Sequence, residues 1–129
     1  MNIWSETLLK EALLAMEKAY SPFSKFKVGA ALVTVDGNIY TGCNVENASY
    51  GLTVCAERVA VFKAVSNGEI DIRQIMIVTS AKTPVSPCGA CRQVLNEFSV
   101  DDMIVGLEGK KEYKLSELLP DSFSGKDFI

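Results

Sequence analysis

Three cysteines in two short motifs constrain the fold of this chain most, because only a fold that brings them together gives them a common role. Cys55 stands two residues before Glu57, and Cys88 and Cys91 form a Cys-x-x-Cys pair further along the chain. Three thiols with a free carboxylate beside them predict a catalytic zinc site, since structural zinc normally takes four protein ligands and catalytic zinc keeps one position open. The chain contains no histidine, which excludes a histidine ligand and the Ser-His-Asp and Cys-His mechanisms.

Length and charge narrow the class of protein. A chain of 129 residues with 48% hydrophobic residues predicts a single domain, residues 1–129. The formal charge is -3 and the 13 Lys and Arg residues are scattered, so we expect a small-molecule partner and no nucleic-acid polymer. No apolar run approaches the roughly 18 residues that span a bilayer, and charges interrupt the apolar pattern of residues 1–16, unlike a secretory signal. We therefore expect a cytoplasmic protein with no membrane partner and with reduced thiols.

Apolar periodicity and turn signals predict alternating helices and strands. A first helix begins after Ser5 and stops before Pro22, and a turn at Asp36 and Gly37 joins the first two strands. Further helices are predicted at residues 56–65, 88–98 and 116–119, and strands at residues 26–35, 38–44, 72–80, 103–107 and 111–115. This alternation favours an α/β fold, a three-layer α/β/α sandwich in which helices flank a mixed sheet of about five strands. The strand order does not follow from the pattern.

The predicted elements place the cysteines where helices begin. Cys55 and Cys88 each precede a predicted helix, where unpaired N–H groups and the helix dipole favour a thiolate. Cys88 and Cys91 are three residues apart and share one helix face. Cys55 and Glu57 would point in nearly opposite directions on a regular helix. We therefore predict that Cys55 occupies the irregular cap position, from which it and Glu57 reach the same site.

Each motif also has an ordinary interpretation. A Cys-x-x-Cys pair is typical of redox sites and of four-cysteine structural zinc sites, but the spacing of Cys43 and Cys55 does not form a second zinc knuckle. We therefore interpret Cys43 as a small apolar residue in a strand. Glu57 is otherwise a solvated carboxylate in the first turn of a helix. Arg58 and Arg92 are otherwise ordinary exposed charges, an interpretation that we favour more strongly for Arg92.

Four blocks of sequence carry a resemblance to a known family. Residues 55–58 (CAER) and 87–91 (PCGAC) resemble the signature of the small all-cysteine cytidine deaminases. The resemblance extends over residues 20–31 (YSPFSKFKVGAA) and 42–50 (GCNVENASY), so it covers nearly the whole chain. Deaminases of nucleic-acid polymers and deoxycytidylate deaminases resemble the chain less, because they place histidine where Cys55 stands.

The resemblance implies a cytidine deaminase-like fold and assigns roles to the first two motifs. One zinc ion per chain is held by Cys55, Cys88 and Cys91, and Glu57 moves protons during the reaction. Three thiolates and one zinc ion carry a net charge of -1, which opposes ionisation of water at the metal. We therefore expect Arg58 to offset this charge and tune the site.

The resemblance also implies a substrate pocket. Asn44 and Glu46, which the residues alone would place in a turn and a loop, bind the ribose 3′-hydroxyl, and Ala48 and Tyr50 complete that wall. Phe26, otherwise a core residue of a strand, stacks on the base. The Ala56 backbone N–H holds the pyrimidine, and the Ser86 carbonyl accepts a hydrogen bond from the leaving ammonia. Residues 118–123 (LLPDSF) match a segment whose phenylalanine, Phe123, reaches the active site of a neighbouring subunit in a homotetramer.

The function implied is hydrolytic deamination of cytidine and 2′-deoxycytidine to uridine and 2′-deoxyuridine, with release of ammonia, in pyrimidine salvage. Two alternatives stay open at this point. An enzyme acting on a cytosine-nucleoside antibiotic would share every zinc residue and differ in the pocket wall. A zinc-stabilised module without enzymatic activity would need no Glu57 and would recruit a fourth ligand.

Overall fold

The computed structural model describes residues 2–128. Its strands are β1 (Val28–Thr34), β2 (Ile39–Cys43), β3 (Ile72–Thr79), β4 (Ser99–Leu107) and β5 (Lys111–Lys114). Its α-helices are α1 (Ser5–Met16), α2 (Ala56–Ser66), α3 (Gly89–Phe98) and α4 (Leu115–Leu118), and 3-10 turns span Tyr50–Leu52 and Gly125–Phe128. Within residues 2–128, no helix combines the length and the apolar character needed to cross a membrane.

The five strands form one mixed sheet in the order β2-β1-β3-β4-β5. β3 and β4 pair in parallel, whereas the other neighbouring strands pair antiparallel. Helix α3 makes the crossover between the two parallel strands, as such a connection requires. The predicted mixed sheet of about five strands flanked by helices is confirmed.

Helices cover both faces of the sheet. On one face, Leu8 and Ala12 of α1 pack with Ala31 and Val33 of β1. On the other face, residues of α2 and α3 pack in one cluster with Ala30 and Leu32 of β1 and with Ile75 and Ile77 of β3. The period-2 alternation of side chains therefore gives β1 two buried faces. The three-layer sandwich follows from this double burial.

Two glycines allow helices to approach the sheet closely. A Cβ atom at Gly29 of β1 would lie 2.1 Å from the Ala12 carbonyl oxygen of α1, and one at Gly42 of β2 would lie 2.4 Å from the Ala56 carbonyl oxygen. Any side chain at Gly42 would therefore displace the first turn of α2. Because Cys55 and Glu57 flank Ala56, this close approach fixes the part of the chain that carries the first cysteine motif.

Three boundaries differ from the sequence-based prediction by two residues or more, and most others differ by one. Helix α1 ends at Met16. β1 begins at Val28, because the backbone N–H and carbonyl of Phe26 bond to the side chains of Ser24 and Asn44 and not to a neighbouring strand. β4 begins at Ser99, immediately after α3. Asp101 and Asp102 have positive φ angles of 49° and 56°, and the pairing of β4 with β3 shifts register there. Because of this irregularity, the apolar pattern of the sequence did not predict the first residues of β4.

Candidate active site

Cys55 and Cys88 are the N-cap residues of α2 and α3. Both have extended backbones, with φ -71° and ψ 153° at Cys55 and φ -68° and ψ 166° at Cys88, and neither side chain caps its own helix. The predicted cap position of Cys55 is confirmed. Both thiols are therefore available to a common site beside two helix N-termini, whose partial positive charge favours thiolates.

The sulfur atoms of three cysteines converge. The Sγ atoms of Cys55, Cys88 and Cys91 all lie within 4.8 Å of one another, and those of Cys55 and Cys88 are 4.0 Å apart. Tetrahedral zinc with bonds of about 2.3 Å places two sulfur ligands about 3.8 Å apart, so the cluster has the size that one zinc ion needs. Cys43 lies in β2, outside this cluster.

The acidities of these thiols show why the cluster fits a cation. The Cys91 thiol, together with Arg58, lowers the pKa of Cys55 to about 5, although burial opposes the shift. Donation to Cys55 and burial raise the pKa of Cys91. Each thiolate thus disfavours ionisation of the next, and three thiolates this close together need a positive ion between them. Zinc is a cation that thiolates bind strongly.

Two charged residues of α2 adjoin the sulfurs. Nη2 of Arg58 donates to the Cys55 sulfur at 3.4 Å, while Nε of Arg58 is buried with no acceptor among residues 2–128. Glu57 is only 5% exposed. Burial, and to a smaller extent the charge of Cys55, raises the pKa of Glu57. A carboxyl group whose pKa is raised by burial holds a proton more readily than an exposed one, which suits a group that transfers protons.

A pocket of about 280 Å³ opens onto the cysteines. Eight residues predicted from the sequence line it, namely Phe26, Asn44, Glu46, Cys55, Ala56, Glu57, Ser86 and Cys88. Sequence reasoning missed five further lining residues, Val28, Thr53, Ile77, Thr79 and Val85. Val28, Ile77 and Thr79 belong to strand ends and gave no signal beyond that of core residues.

The outer wall of the pocket is tied together by side chains. Oε1 of Glu46 accepts hydrogen bonds from the backbone N–H groups of Phe23 at 3.0 Å and Ser24 at 3.2 Å, and Oε2 accepts one from the Ser24 hydroxyl. Ser24 Oγ in turn accepts from the Phe26 N–H at 3.0 Å. Nδ2 of Asn44 donates to the Phe26 carbonyl at 2.8 Å, and its Oδ1 accepts from Val28 N–H at 2.9 Å. Sequence reasoning missed Ser24, although its Ser/Pro-rich surroundings indicated a loop.

The remaining predicted residues lie at the margins. Tyr50 and Glu46 line a neighbouring hollow of about 310 Å³, and Ala48 is exposed in the loop before Tyr50. Phe123 does not line the pocket of its own chain. Phe123 is 57% exposed. Its ring packs edge to face with that of Phe128, with 6.2 Å between the ring centroids.

Arg92 is not the ordinary exposed charge that the sequence favoured. It is half-buried, and its guanidinium donates to the Pro87 carbonyl at 2.7 Å, to the Leu118 carbonyl at 2.7 Å and to the Ser86 hydroxyl at 3.0 Å. The interpretation was wrong because these acceptors come from tertiary structure, which the neighbouring residues of Arg92 do not reveal.

Three thiols and a buried carboxylate meet at one pocket beside two helix N-termini, and this is the set of groups that zinc-dependent deaminases use. Residues 2–107 match the family model described as the cytidine and deoxycytidylate deaminase zinc-binding region. The chain is 52% identical over 126 residues to the cytidine deaminase of Halalkalibacterium halodurans, covering 95% of this chain and 96% of that protein. The cytidine deaminase of Sporosarcina psychrophila is 50% identical over 126 residues, covering 95% and 93%.

Solved structures agree with the sequence comparison. The crystal structure of cytidine deaminase from Burkholderia pseudomallei superposes with a TM-score of 0.85 at 44% identity, covering 95% of this chain and 100% of that one. That of the Mycobacterium tuberculosis cytidine deaminase has a TM-score of 0.86 at 40% identity, covering 95% and 98%. The chain therefore belongs to the cytidine deaminase family, a family of hydrolases.

Proposed function

We propose that this protein catalyses hydrolytic deamination of cytidine and 2′-deoxycytidine to uridine and 2′-deoxyuridine, with release of ammonia. The observation that carries the proposal is the buried Glu57 carboxyl group beside three converging thiols in a nucleoside-sized pocket. The relatives named above support the choice of cytidine. We extend the proposal to deoxycytidine, to a role in pyrimidine salvage and to a cytoplasmic location.

Proton transfer is the role we assign to Glu57. Cys55, Cys88 and Cys91 would hold the zinc ion, which would supply the Lewis acidity that lowers the pKa of water. The Glu57 carboxylate accepts the proton that the attacking water loses and delivers it to N3 of the pyrimidine as the water oxygen adds to C4. Glu57 then passes the second proton of that oxygen to the amino group, which leaves as ammonia. Water and cytidine are thereby converted to uridine and ammonia with no other reactant.

The pocket wall holds the nucleoside in this proposal. We assign ribose binding to Asn44 and Glu46. The Asn44 side-chain NH₂ and carbonyl oxygen each make one hydrogen bond within the protein, which leaves one N–H and one lone pair for a ligand. Glu46 lies in the same wall and offers acceptor oxygens. Ala48 and Tyr50 extend this wall from the adjoining loop.

The base is held by the inner part of the pocket. Phe26 lines it and offers an apolar ring for stacking on the pyrimidine. The Ala56 N–H belongs to the first turn of α2, where backbone donors lack intrahelical partners. The Ser86 carbonyl accepts from the departing ammonia.

Arg58 tunes the charge of the zinc site in this proposal. Its contact with the Cys55 sulfur at 3.4 Å places a permanent cation beside the thiolates. That cation offsets part of their charge, which otherwise opposes loss of a proton from water.

We also propose that residues 1–129 act as one domain and assemble as a homotetramer. Several large apolar side chains are exposed, including Tyr50, Leu52, Phe62, Phe123 and Phe128. A set of this size favours burial between subunits. Phe123, which stands apart from its own pocket, would then reach a neighbour's site.

Ammonia release from cytidine tests the function. The purified protein should release ammonia from cytidine and deoxycytidine, while cytosine and cytidine monophosphate serve as comparisons that lack the ribose or carry a phosphate. Glu57→Gln is the matched inactive control. A zinc-loaded protein that releases no ammonia from cytidine above the Glu57→Gln background would refute the proposal.

A further inference from the structure

The guanidinium of Arg92 joins three separate parts of the chain. It lies one turn into α3, where Nε donates to the Pro87 carbonyl, Nη2 to the Ser86 hydroxyl and Nη1 to the Leu118 carbonyl. Two of these acceptors belong to the residues immediately before Cys88. The third belongs to the last residue of α4. A planar guanidinium can serve three acceptors in fixed directions, which an ammonium group on a flexible stem does not reproduce.

Cys88 depends on this loop for its position more than Cys91 does. Cys91 is buried within α3, whereas Cys88 is exposed and precedes the helix. Pro87 has no N–H group, so the peptide between Ser86 and Pro87 offers no backbone donor that could fix it. The Arg92 side chain donates to the Pro87 carbonyl at 2.7 Å, and the Arg92 backbone N–H donates to the Cys88 carbonyl at 3.0 Å. Arg92 thus holds the chain on both sides of the Cys88 Cα atom.

The same helix also holds the C-terminal segment. Nε2 of Gln93 and Nδ2 of Asn96 donate to the Phe123 carbonyl at 3.2 Å and 3.1 Å. Arg92 differs from these two residues because its contacts reach both the C-terminal segment, at Leu118, and the loop before Cys88. Asn96 therefore offers a matched control on the same helix that does not contact that loop.

We propose that Arg92 is a positioning residue that fixes the Cys88 thiol and the Ser86 wall of the pocket and links both to the end of α4. The inference rests on the proposed function, because it gives Cys88 the role of a zinc ligand. Loss of the guanidinium frees the 86–87 peptide, so zinc is retained less well. Because Ser86 lines the pocket, substrate binding weakens at the same time.

The test compares zinc release and kinetics in Arg92→Gln, Arg92→Lys and Asn96→Ala. Zinc-loaded proteins are mixed with an excess of a chromogenic chelator, and kcat and KM for cytidine and the Tm of the zinc-free proteins are measured in parallel. We expect Arg92→Gln to release zinc about 10-fold faster than the parent, at the lower end of the effect of outer-shell partners, and to raise KM. Arg92→Lys should fall between Arg92→Gln and the parent, because lysine keeps the charge but lacks the planar guanidinium. Asn96→Ala should release zinc at the rate of the parent.

A purely structural Arg92 gives a different result. It would lower the Tm of the zinc-free protein and leave the rate of zinc release and KM at the parent values, which would overturn the proposal. If Arg92→Gln does not fold, Arg92→Lys decides by the same measurements, and Ser86→Ala, which removes one of the three bonds, should show a smaller acceleration. Zinc release does not depend on turnover, so a parent that binds zinc but leaves cytidine intact refutes the proposed function and still tests Arg92.

Discussion

Strand β1 has a glutamate-centred network of hydrogen bonds at each of its two ends. Before its first residue, Glu46 accepts bonds from Phe23 and Ser24. Beside its last residue, Oε1 of Glu69 accepts from the Thr34 hydroxyl at 2.6 Å, and the Glu69 carboxylate also accepts bonds from the Asn38 amide and the Tyr40 hydroxyl. Hydroxyl donors, chiefly Ser24 and Thr34, lower the pKa of the two carboxyl groups. As isolated networks they are alike.

Their surroundings differ. Glu46 shares a pocket with Cys55 and Glu57 and fixes the loop that leads to Phe26. Glu69 joins the β1–β2 hairpin to the connection between α2 and β3, and Asn67 extends that network by donating to the Tyr40 hydroxyl. A well-bonded carboxylate thus indicates order at either end of the strand. The carboxylate serves binding where it orders a wall of the pocket, and it serves stability where it joins elements away from the pocket.

The largest expected effect comes from a zinc ligand beside the pocket end of β1. Cys91→Ala should lose zinc and cytidine turnover together, because two thiols are too few for the site. Metal analysis and ammonia release measure both. Cys43→Ala is the matched control, since it removes a thiol of β2 outside the cluster and should keep metal and activity. A Cys91→Ala protein with both properties intact would show that the ligand set is wrong.

Glu57→Gln should lower kcat by roughly 10²-fold to 10⁴-fold, the usual contribution of a general acid-base group. Zinc content should stay at the parent level, because Glu57 is not a ligand. Tm should not fall, since burial raises the pKa of Glu57 and the neutral amide avoids burying a charge. Glu69→Gln, the same change at the far end, should leave kcat within about twofold of the parent. Turnover of Glu57→Gln within a few-fold of the parent would assign proton transfer to another residue.

Glu46→Gln should act on substrate binding. It removes the charge that holds Phe23 and Ser24, so the wall carrying Phe26 loosens and KM for cytidine rises roughly tenfold, as expected for weakened hydrogen bonds to a charged group. Steady-state kinetics should show a smaller change in kcat. An unchanged KM would show that Glu46, like Glu69, orders its loop without contributing to substrate binding.

Glu69→Gln should lower Tm by a few degrees and leave KM for cytidine unchanged. The amide keeps one acceptor oxygen but loses the charge that receives bonds from Thr34, Asn38 and Tyr40. Thermal unfolding measured beside the kinetics separates the two effects. A raised KM in this variant would show that the far end of β1 influences the pocket, and the contrast between the ends would fail.

The smallest expected effect is on the pH dependence of stability. Because its folded-state pKa is lowered, Glu69 stabilises the fold fully above its unfolded pKa of about 4.3. The contribution is lost as pH falls through the lower folded pKa. The Tm difference between parent and Glu69→Gln should therefore be full at pH 6 and shrink towards pH 3. A difference that grows as the pH falls would contradict the sign of the shift.

The sequence predicted those parts of the site that depend on local geometry. Cys55 and Cys88 cap helices because each precedes a helical pattern, and Cys88 and Cys91 share a face because of their spacing. The layers of the sandwich followed from the alternation of elements. In contrast, Arg92 acquires its role from the Leu118 carbonyl, and Ser24 acquires its role from Glu46.

Those partners meet only after the sheet has assembled, so residues near each position in the sequence gave no indication of them. Glu69 is a similar case. Its hydrogen-bond donors belong to the β1–β2 hairpin, and helix α2 separates that hairpin from Glu69 in the sequence. Asp101 and Asp102 concealed the start of β4 for a different reason. Their positive φ angles interrupt the alternation that identifies a strand.

The backbone of Phe26 is held independently of its ring, since its N–H donates to Ser24 and its carbonyl accepts from Asn44. The backbone of this pocket wall can therefore keep its conformation when the side chain at position 26 is replaced. A library of substitutions at Phe26 is a direct route to variants that accept pyrimidines with altered rings, because changes there alter the shape of the pocket without releasing the loop that forms it.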